Sequence, residues 1–245
     1  MTANDGRIRT THIGSLPRSP ELLDLLTRRQ DGEPVDEEEW DETVAAATRD
    51  VVERQAEAGV DVANNSEQSR VSFNWYVADR LSGIAGTREQ ELWADLQEFP
   101  SYAEETFKTD VIDLAQHPVV TGPVEYTGRD EAEAELAAFR DALDAADADF
   151  EDTFLTAASP SVVTATHVDD HYGDYEEYLF AVADAMAEEY EIVADAVADD
   201  TPLLAAPDCG FGTQAGIGMV DPEIAWAKLA ALDEGAAIAT ERIYG

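Results

Sequence analysis

The side chains of this 245-residue chain that could do chemistry fall into a few groups. Cys209, the single cysteine, sits in Leu203-Leu-Ala-Ala-Pro-Asp-Cys-Gly-Phe-Gly-Thr213. The run opens as an apolar strand and breaks at Pro207, so a parallel strand would deliver the thiol to the rim of a sheet, where α/β proteins place their chemistry. A thiolate there is a metal ligand or a nucleophile; a lone cysteine is also commonly a small buried hydrophobe. Glu67 lies in the polar cluster Asn64–Arg70, directly behind the strand-like Val60–Ala63. With Arg70 it can hold a zwitterion, Glu67 taking the ammonium; the other reading is an exposed loop acid. Ile13, Gly14 and Ser15 follow another β-prone run. The glycine lets backbone approach a ligand, and the serine offers an N–H and a hydroxyl, although most Gly-Ser pairs are turns. His167 and His171 are four apart. On a helix they would share a face as metal-binding pairs do, but Val168 stands where the zinc-protease pattern has Glu, and a solvated loop over a site is the alternative. The glycines from Gly210 to Gly218 lack dinucleotide-binding spacing and follow the last strand instead of the first.

The elements that must position these groups alternate. Strands are expected near residues 8, 60, 119, 153 and 203. Helices are expected from Pro20 to about Arg29 behind the cap Ser19, from Asp36 to Ala58, over Glu131–Ala148, from Tyr175 to about Ala198, and from Asp221 through Leu232. Helical or irregular chain is expected from Arg70 through Trp93. The pattern predicts an α/β fold with a mainly parallel sheet. About five strands are recognisable, where a closed barrel has eight.

Charge sets the remaining bounds. There are 54 acidic and 15 basic residues, a formal net charge of −39, and the acids are dispersed along the chain. Dispersed acid with only two lysines fits a halophile surface, on which molar salt shortens the screening length to about 3 Å. The same charge repels phosphates, so no nucleic-acid partner is expected. No apolar run has the length of a membrane span, no leader is evident, and one cysteine makes no internal disulfide; a cytoplasmic protein is expected.

Taken together, Thr11-His-Ile-Gly-Ser-Leu-Pro-Arg18, Gly59-Val-Asp-Val-Ala-Asn-Asn-Ser-Glu67, Val120-Thr-Gly-Pro123 and Pro207-Asp-Cys-Gly210 resemble the cobalamin-independent methionine synthase family, in its shorter archaeal-type form built from the catalytic domain. The resemblance implies a (β/α)8 barrel and zinc-dependent transfer of a methyl group to homocysteine, the metal lowering the pKa of the substrate thiol. It implies that Ile13, Gly14 and Ser15 line the amino-acid carboxylate, that Glu67 accepts the ammonium and that Cys209 ligates zinc. Ser66 stands where the family has glycine, which implies a strained loop. The methyl donor stays open between a methyltetrahydrofolate-type molecule and a methyl-corrinoid protein. The family's His-x-Cys pair and further Glu ligand have no counterpart. Between Ile192 and Thr201 the chain reads only Val-Ala-Asp-Ala-Val-Ala-Asp-Asp. A single domain over residues 1–245 is therefore expected, with an internal deletion whose junction lies near residues 193–200 and which removes the fifth to seventh strands, about a hundred residues at roughly 30 per strand–helix unit. Three functions follow: a homocysteine methyltransferase, a catalytically inactive remnant that keeps an amino-acid pocket, and one part of a split enzyme.

Overall fold

Two helices begin where serine meets proline. The computed structural model describes residues 10–72, 75–89, 116–146 and 148–196, together with Gly235 and Ile238. The chain divides into two compact units, Met1–Ala196 and Val197–Gly245, and the elements below belong to the first. In α1 (Pro20–Gln30) the Ser19 hydroxyl accepts the Leu22 N–H, and Pro20 fills the first turn, where its missing N–H costs nothing. Asp36 caps α2 (Glu37–Glu57) through the Glu39 N–H, and three glutamates in the first turn face the positive end of the helix dipole. Ser159 and Pro160 open α5 (Pro160–Thr166) in the same way as α1. This helix is not among those expected from the sequence, although the Ser-Pro signal was present.

The remaining elements are β1 (Val62–Ala63), α3 (Val77–Arg80), β2 (Ile84–Glu89), β3 (Gln116–Val120), α4 (Arg129–Ala145), β4 (Asp152–Thr153), β5 (Val168–Asp169) and α6 (Tyr175–Ala196). The strands form two small sheets. In one, β1 and β4 run parallel, Val62 opposite Asp152 and Ala63 opposite Thr153. In the other the order is β2-β3-β5, with β3 parallel to β5 and β2 antiparallel to β3. The expected strands near 60, 119 and 153 are present but short. Thr10, from the expected first strand, belongs to no named strand, yet its carbonyl accepts the Asp61 and Val62 N–H groups and so flanks β1. The expected strand near 203 and the helix from Asp221 lie outside the described residues.

Strand β2 corrects the expectation of helical or irregular chain over residues 84–89. Five of its six residues are exposed, so no alternation of burial marks it in sequence. A remote contact places it. Gly83 has φ +77°, and a Cβ there would come 2.3 Å from the Pro123 carbonyl oxygen. The glycine thus lets the entry to β2 press against the turn that follows β3.

The main core gathers around α6, where Tyr178, Val182 and Met186 pack with Val120, Val124, Leu136 and Val163. A second cluster joins α2 to α4 through Val51, Val52, Phe139 and Ala142, and a third joins α1 to α2 through Leu22, Leu26 and Val44. The loop behind β1 is held by polar contacts to Gln55 of α2, Glu135 of α4 and Thr156 behind β4. No described helix is long and apolar enough to cross a membrane.

Candidate amino-acid site

Behind β1 the chain turns through Asn64-Asn65-Ser66-Glu67, and the two asparagines dictate its shape. The Asn64 side-chain oxygen accepts the Ser66 N–H at 2.8 Å, and that of Asn65 accepts the Glu67 N–H at 3.1 Å. These local bonds hold Ser66 at φ +54° and Glu67 at φ +52°. The left-handed region costs a non-glycine residue roughly 1–2 kcal/mol, so the bend persists because its surroundings over-determine it. Gln55 of α2 adds to that hold by accepting the Asn64 N–H and donating to its carbonyl. The Asn64 amide also donates to the His12 carbonyl at 2.9 Å.

The bend buries Glu67 to 5% exposure and aims its carboxylate at two hydroxyls. Oε1 accepts Thr156 Oγ1 at 3.0 Å, and Oε2 accepts Ser15 Oγ at 3.4 Å. Thr156 follows β4, Ser15 follows the Thr10–Thr11 segment beside β1, and Glu67 follows β1. Three neighbouring extended segments thus deliver their groups to one place beyond their carboxyl ends. Ser15 and Glu67, which the family resemblance implies as separate substrate contacts, are brought together. Ile13 is 75% exposed and Gly14 has φ +85° with open space around it. Cys209 lies outside the described residues.

The guanidinium at this site is Arg18 and not Arg70. Arg18 donates from Nη2 to the carbonyls of Glu67 at 2.7 Å and Arg70 at 2.8 Å and to Ser15 Oγ at 3.2 Å, and from Nε to the Gln68 carbonyl at 3.2 Å. Burial pulls the Arg18 pKa below its ordinary value, and the Glu67 carboxylate partly offsets that. Arg70 points the other way. Its Nε lies 2.9 Å from Glu135 Oε1 and its Nη1 donates to the Thr156 carbonyl at 2.7 Å. The left-handed bend turns consecutive side chains away from the simple spacing that suggested a Glu67–Arg70 pair.

Arg70 belongs to a buried network beneath the site. Glu135 also pairs with Arg80 and accepts the Asn65 amide at 2.6 Å. Arg80 reaches Glu189 at 3.0 Å, and Glu189 accepts the hydroxyls of Tyr76 at 2.7 Å and Tyr126 at 2.9 Å. Two guanidiniums offset two carboxylates, so the interior stays neutral, as burial of charge requires. Burial pushes the Glu135 pKa up, but Arg70 and Arg80 outweigh it and pull it down to about 2. Burial and Glu189 push the Tyr76 and Tyr126 hydroxyls far up, keeping both protonated as donors.

The two histidines do not form a metal pair. His167 is 3% exposed; its Nδ1 donates to the Val163 carbonyl at 3.0 Å and its Nε2 is buried with no described partner. His171 lies in the turn after β5 against the Tyr172 ring. Strand β5 between them breaks the helical spacing that would have aligned them. Among the described residues no three His, Cys, Asp or Glu come together as metal ligands. Arg18, Thr156 and the two asparagines are the site residues that sequence reasoning did not single out. Thr156 falls at the end of the expected fourth strand and Arg18 inside the Thr11–Arg18 block, and position alone marked both.

Residues 8–113 match the family model described as cobalamin-independent synthase, catalytic domain. The 5-methyltetrahydropteroyltriglutamate–homocysteine methyltransferase of Shewanella oneidensis is 33% identical over 79 residues, which cover 32% of this chain and 10% of that protein. The protein of the same name from Thermotoga petrophila is 30% identical over 119 residues, 49% of this chain and 14% of that one. A solved B12-independent methionine synthase from Shewanella sp. W3-18-1, in complex with selenomethionine, has a TM-score of 0.53 at 20% identity, covering 76% of this chain and 48% of that one. The likeness shows the fold, an α/β arrangement with few strands taken from a (β/α)8 barrel. The match thus spans about half the length of the solved relative and a far smaller share of the curated ones.

Proposed function

We propose that this chain, whose residues 8–113 carry the catalytic-domain sequence of cobalamin-independent synthases, is the amino-acid-recognising part of a homocysteine methyltransferase of methionine biosynthesis. The observation that carries the reading is the buried Glu67 carboxylate, fixed between the hydroxyls of Thr156 and Ser15 and opening towards solvent at Ser15. A carboxylate has about four lone-pair positions, and two hydroxyl bonds leave capacity for an ammonium. Charge-assisted bonds of this kind are the strong ones. Ile13, Gly14 and Ser15 line the other side of the substrate head group.

A methyltetrahydrofolate-type donor is favoured by the names of the curated relatives. A methyl-corrinoid donor, also open from the sequence, has no such support. Zinc enters through the likeness to the family and would lower the pKa of the homocysteine thiol. The described residues do not by themselves fit that ion, since no three candidate ligands converge and Cys209 is not among them. They are therefore assigned substrate binding and orientation only. A cytoplasmic setting and the deletion junction near 193–200 belong to the same proposal.

Calorimetric titration with L-homocysteine and a radiolabelled methyl-transfer assay test the reading. Glu67→Gln removes the charge but keeps the shape, so a loss of about 1.5–3 kcal/mol, roughly ten- to a hundred-fold in affinity, is expected. Binding without transfer would favour the inactive-remnant reading. Unchanged affinity in the variant would show that Glu67 does not hold the ammonium.

A further inference from the structure

We propose that Arg18 is the specificity-determining residue of this site, its Nη1 edge taking the carboxylate of an α-amino acid whose ammonium rests on Glu67. The inference deepens the amino-acid reading of the Glu67 site and rests on it.

Arg18 is anchored by half of its guanidinium. Nε and Nη2 are spent on the Gln68, Glu67 and Arg70 carbonyls and on Ser15 Oγ. Nη1 has no partner among the described residues, which leaves its two N–H groups free to donate. The bonds to three loop carbonyls fix the plane in advance, so a ligand need not pay to order it.

Its charge is unspent as well. In this acidic chain Arg28, Arg29, Arg54, Arg88 and Arg129 each pair with a carboxylate, and Arg70 and Arg80 do so in the interior. Arg18 forms no ion pair with a described acid. Its neighbours are three carbonyl oxygens and a hydroxyl, and burial disfavours its charge with Glu67 as the offsetting acid. A second carboxylate arriving at Nη1 would complete the compensation.

The placement matches the ligand chemistry. Arg18 Nη2 and Glu67 Oε2 lie 3.2 Å and 3.4 Å from the same Ser15 hydroxyl. A positive and a negative group thus flank one exposed hydroxyl, as an ammonium and a carboxylate flank one α-carbon. A thiol bearing only an amine would satisfy Glu67 and leave Arg18 uncompensated.

Calorimetry on the intact chain tests this with L-homocysteine, with 3-aminopropane-1-thiol, which lacks the carboxylate, and with L-norleucine, which lacks the thiol. The native protein is expected to bind the amine at least about ten-fold more weakly than homocysteine. Arg18→Lys, which keeps the charge but cannot hold the loop carbonyls and present a second nitrogen at once, is expected to lose most of that preference while melting cooperatively. Should that variant fail to fold, Arg18→Gln is measured in its place, and a folded variant that keeps the native preference overturns the role of Arg18. Equal affinity for both thiols overturns the role of Arg18 and leaves the homocysteine reading standing. Arg18-dependent binding of norleucine without binding of homocysteine does the reverse. No binding of any probe overturns both.

Discussion

His167 shows how one buried side chain sets a pH dependence. Its Nδ1 is satisfied by the Val163 carbonyl, while Nε2 sits buried without a described partner. Burial, with a smaller contribution from His117, pulls its pKa from 6.5 down to about 4. The folded chain then refuses a proton that the unfolded chain accepts below the ordinary value. Stability is therefore highest above that value, falls as pH drops from 6.5 towards about 4, and levels off beyond. Between about pH 7 and about pH 5 the loss should be about 2 kcal/mol, measurable by urea unfolding. His167→Gln should flatten that slope. An equally steep slope in the variant would place the titrating group elsewhere. Residue identity foretold little of this, because the four-residue spacing to His171 left a metal pair or a solvated loop open, and neither reading buries the ring. The observed roles depend on whether the intervening residues are helical, and β5 is set by pairing with Val119 and Val120, far off in sequence.

At the scale of elements, α4 links the interior to the site. Glu135 projects from it and touches Arg70, Arg80 and the Asn65 amide that supports the left-handed bend. Gly128, which precedes α4, makes room for this arrangement: a Cβ there would come 2.4 Å from Arg80 Cγ. Glu135→Gln leaves two buried guanidiniums short of a counter-charge and should cost about 3–5 kcal/mol by chemical denaturation. Breaking an exposed, solvent-screened pair such as Arg88–Asp170, with Nη1 to Oδ1 at 2.8 Å, should cost far less. Glu135 has a depressed pKa, so its contribution is present above the ordinary carboxylate range and disappears as pH falls through about 2. A Glu135→Gln chain as stable as its parent would mean that the network is not what holds α4 to the loop. The helices were legible because their caps are local: Ser19-Pro20 and Asp36 announce α1 and α2 within a few residues. Among the strands, β1, β3 and β4 were anticipated near residues 60, 119 and 153, but β2 and β5 were not, since β5 is two residues long and β2 depends on Gly83 meeting the Gly122–Pro123 turn. In the site, Ser15 and Glu67 were legible by position behind extended runs. The exchange of Arg18 for Arg70 was not, because it follows from backbone dihedrals that no spacing rule encodes.

For the molecule as a whole, charge is the dominant constraint. A net charge of −39 on 245 residues is self-repelling in dilute salt. Acids crowd the first turns of α2 and α4, and α4 and α6 have no basic residue in their last turns to complement the dipole. Raising KCl from about 0.1 M to about 2 M should therefore raise the melting temperature by on the order of 10 °C, as repulsion is screened within a few ångströms. A midpoint indifferent to salt would remove the basis for reading the surface as salt-adapted. One detail of the bend behind β1 reaches into the lifetime of the protein. Asn65-Ser66 is a sequence prone to deamidation, in which the following backbone nitrogen attacks the side-chain amide. Here that nitrogen is already bound to Asn64, and the Asn65 amide is held at both ends, by the Glu67 N–H and by Glu135. The fold thus withholds the reactants from each other. Each unfolding excursion would expose them, and the acid formed would return as an extra negative charge against Glu135, so that chemical ageing of the chain would register the time it has spent unfolded.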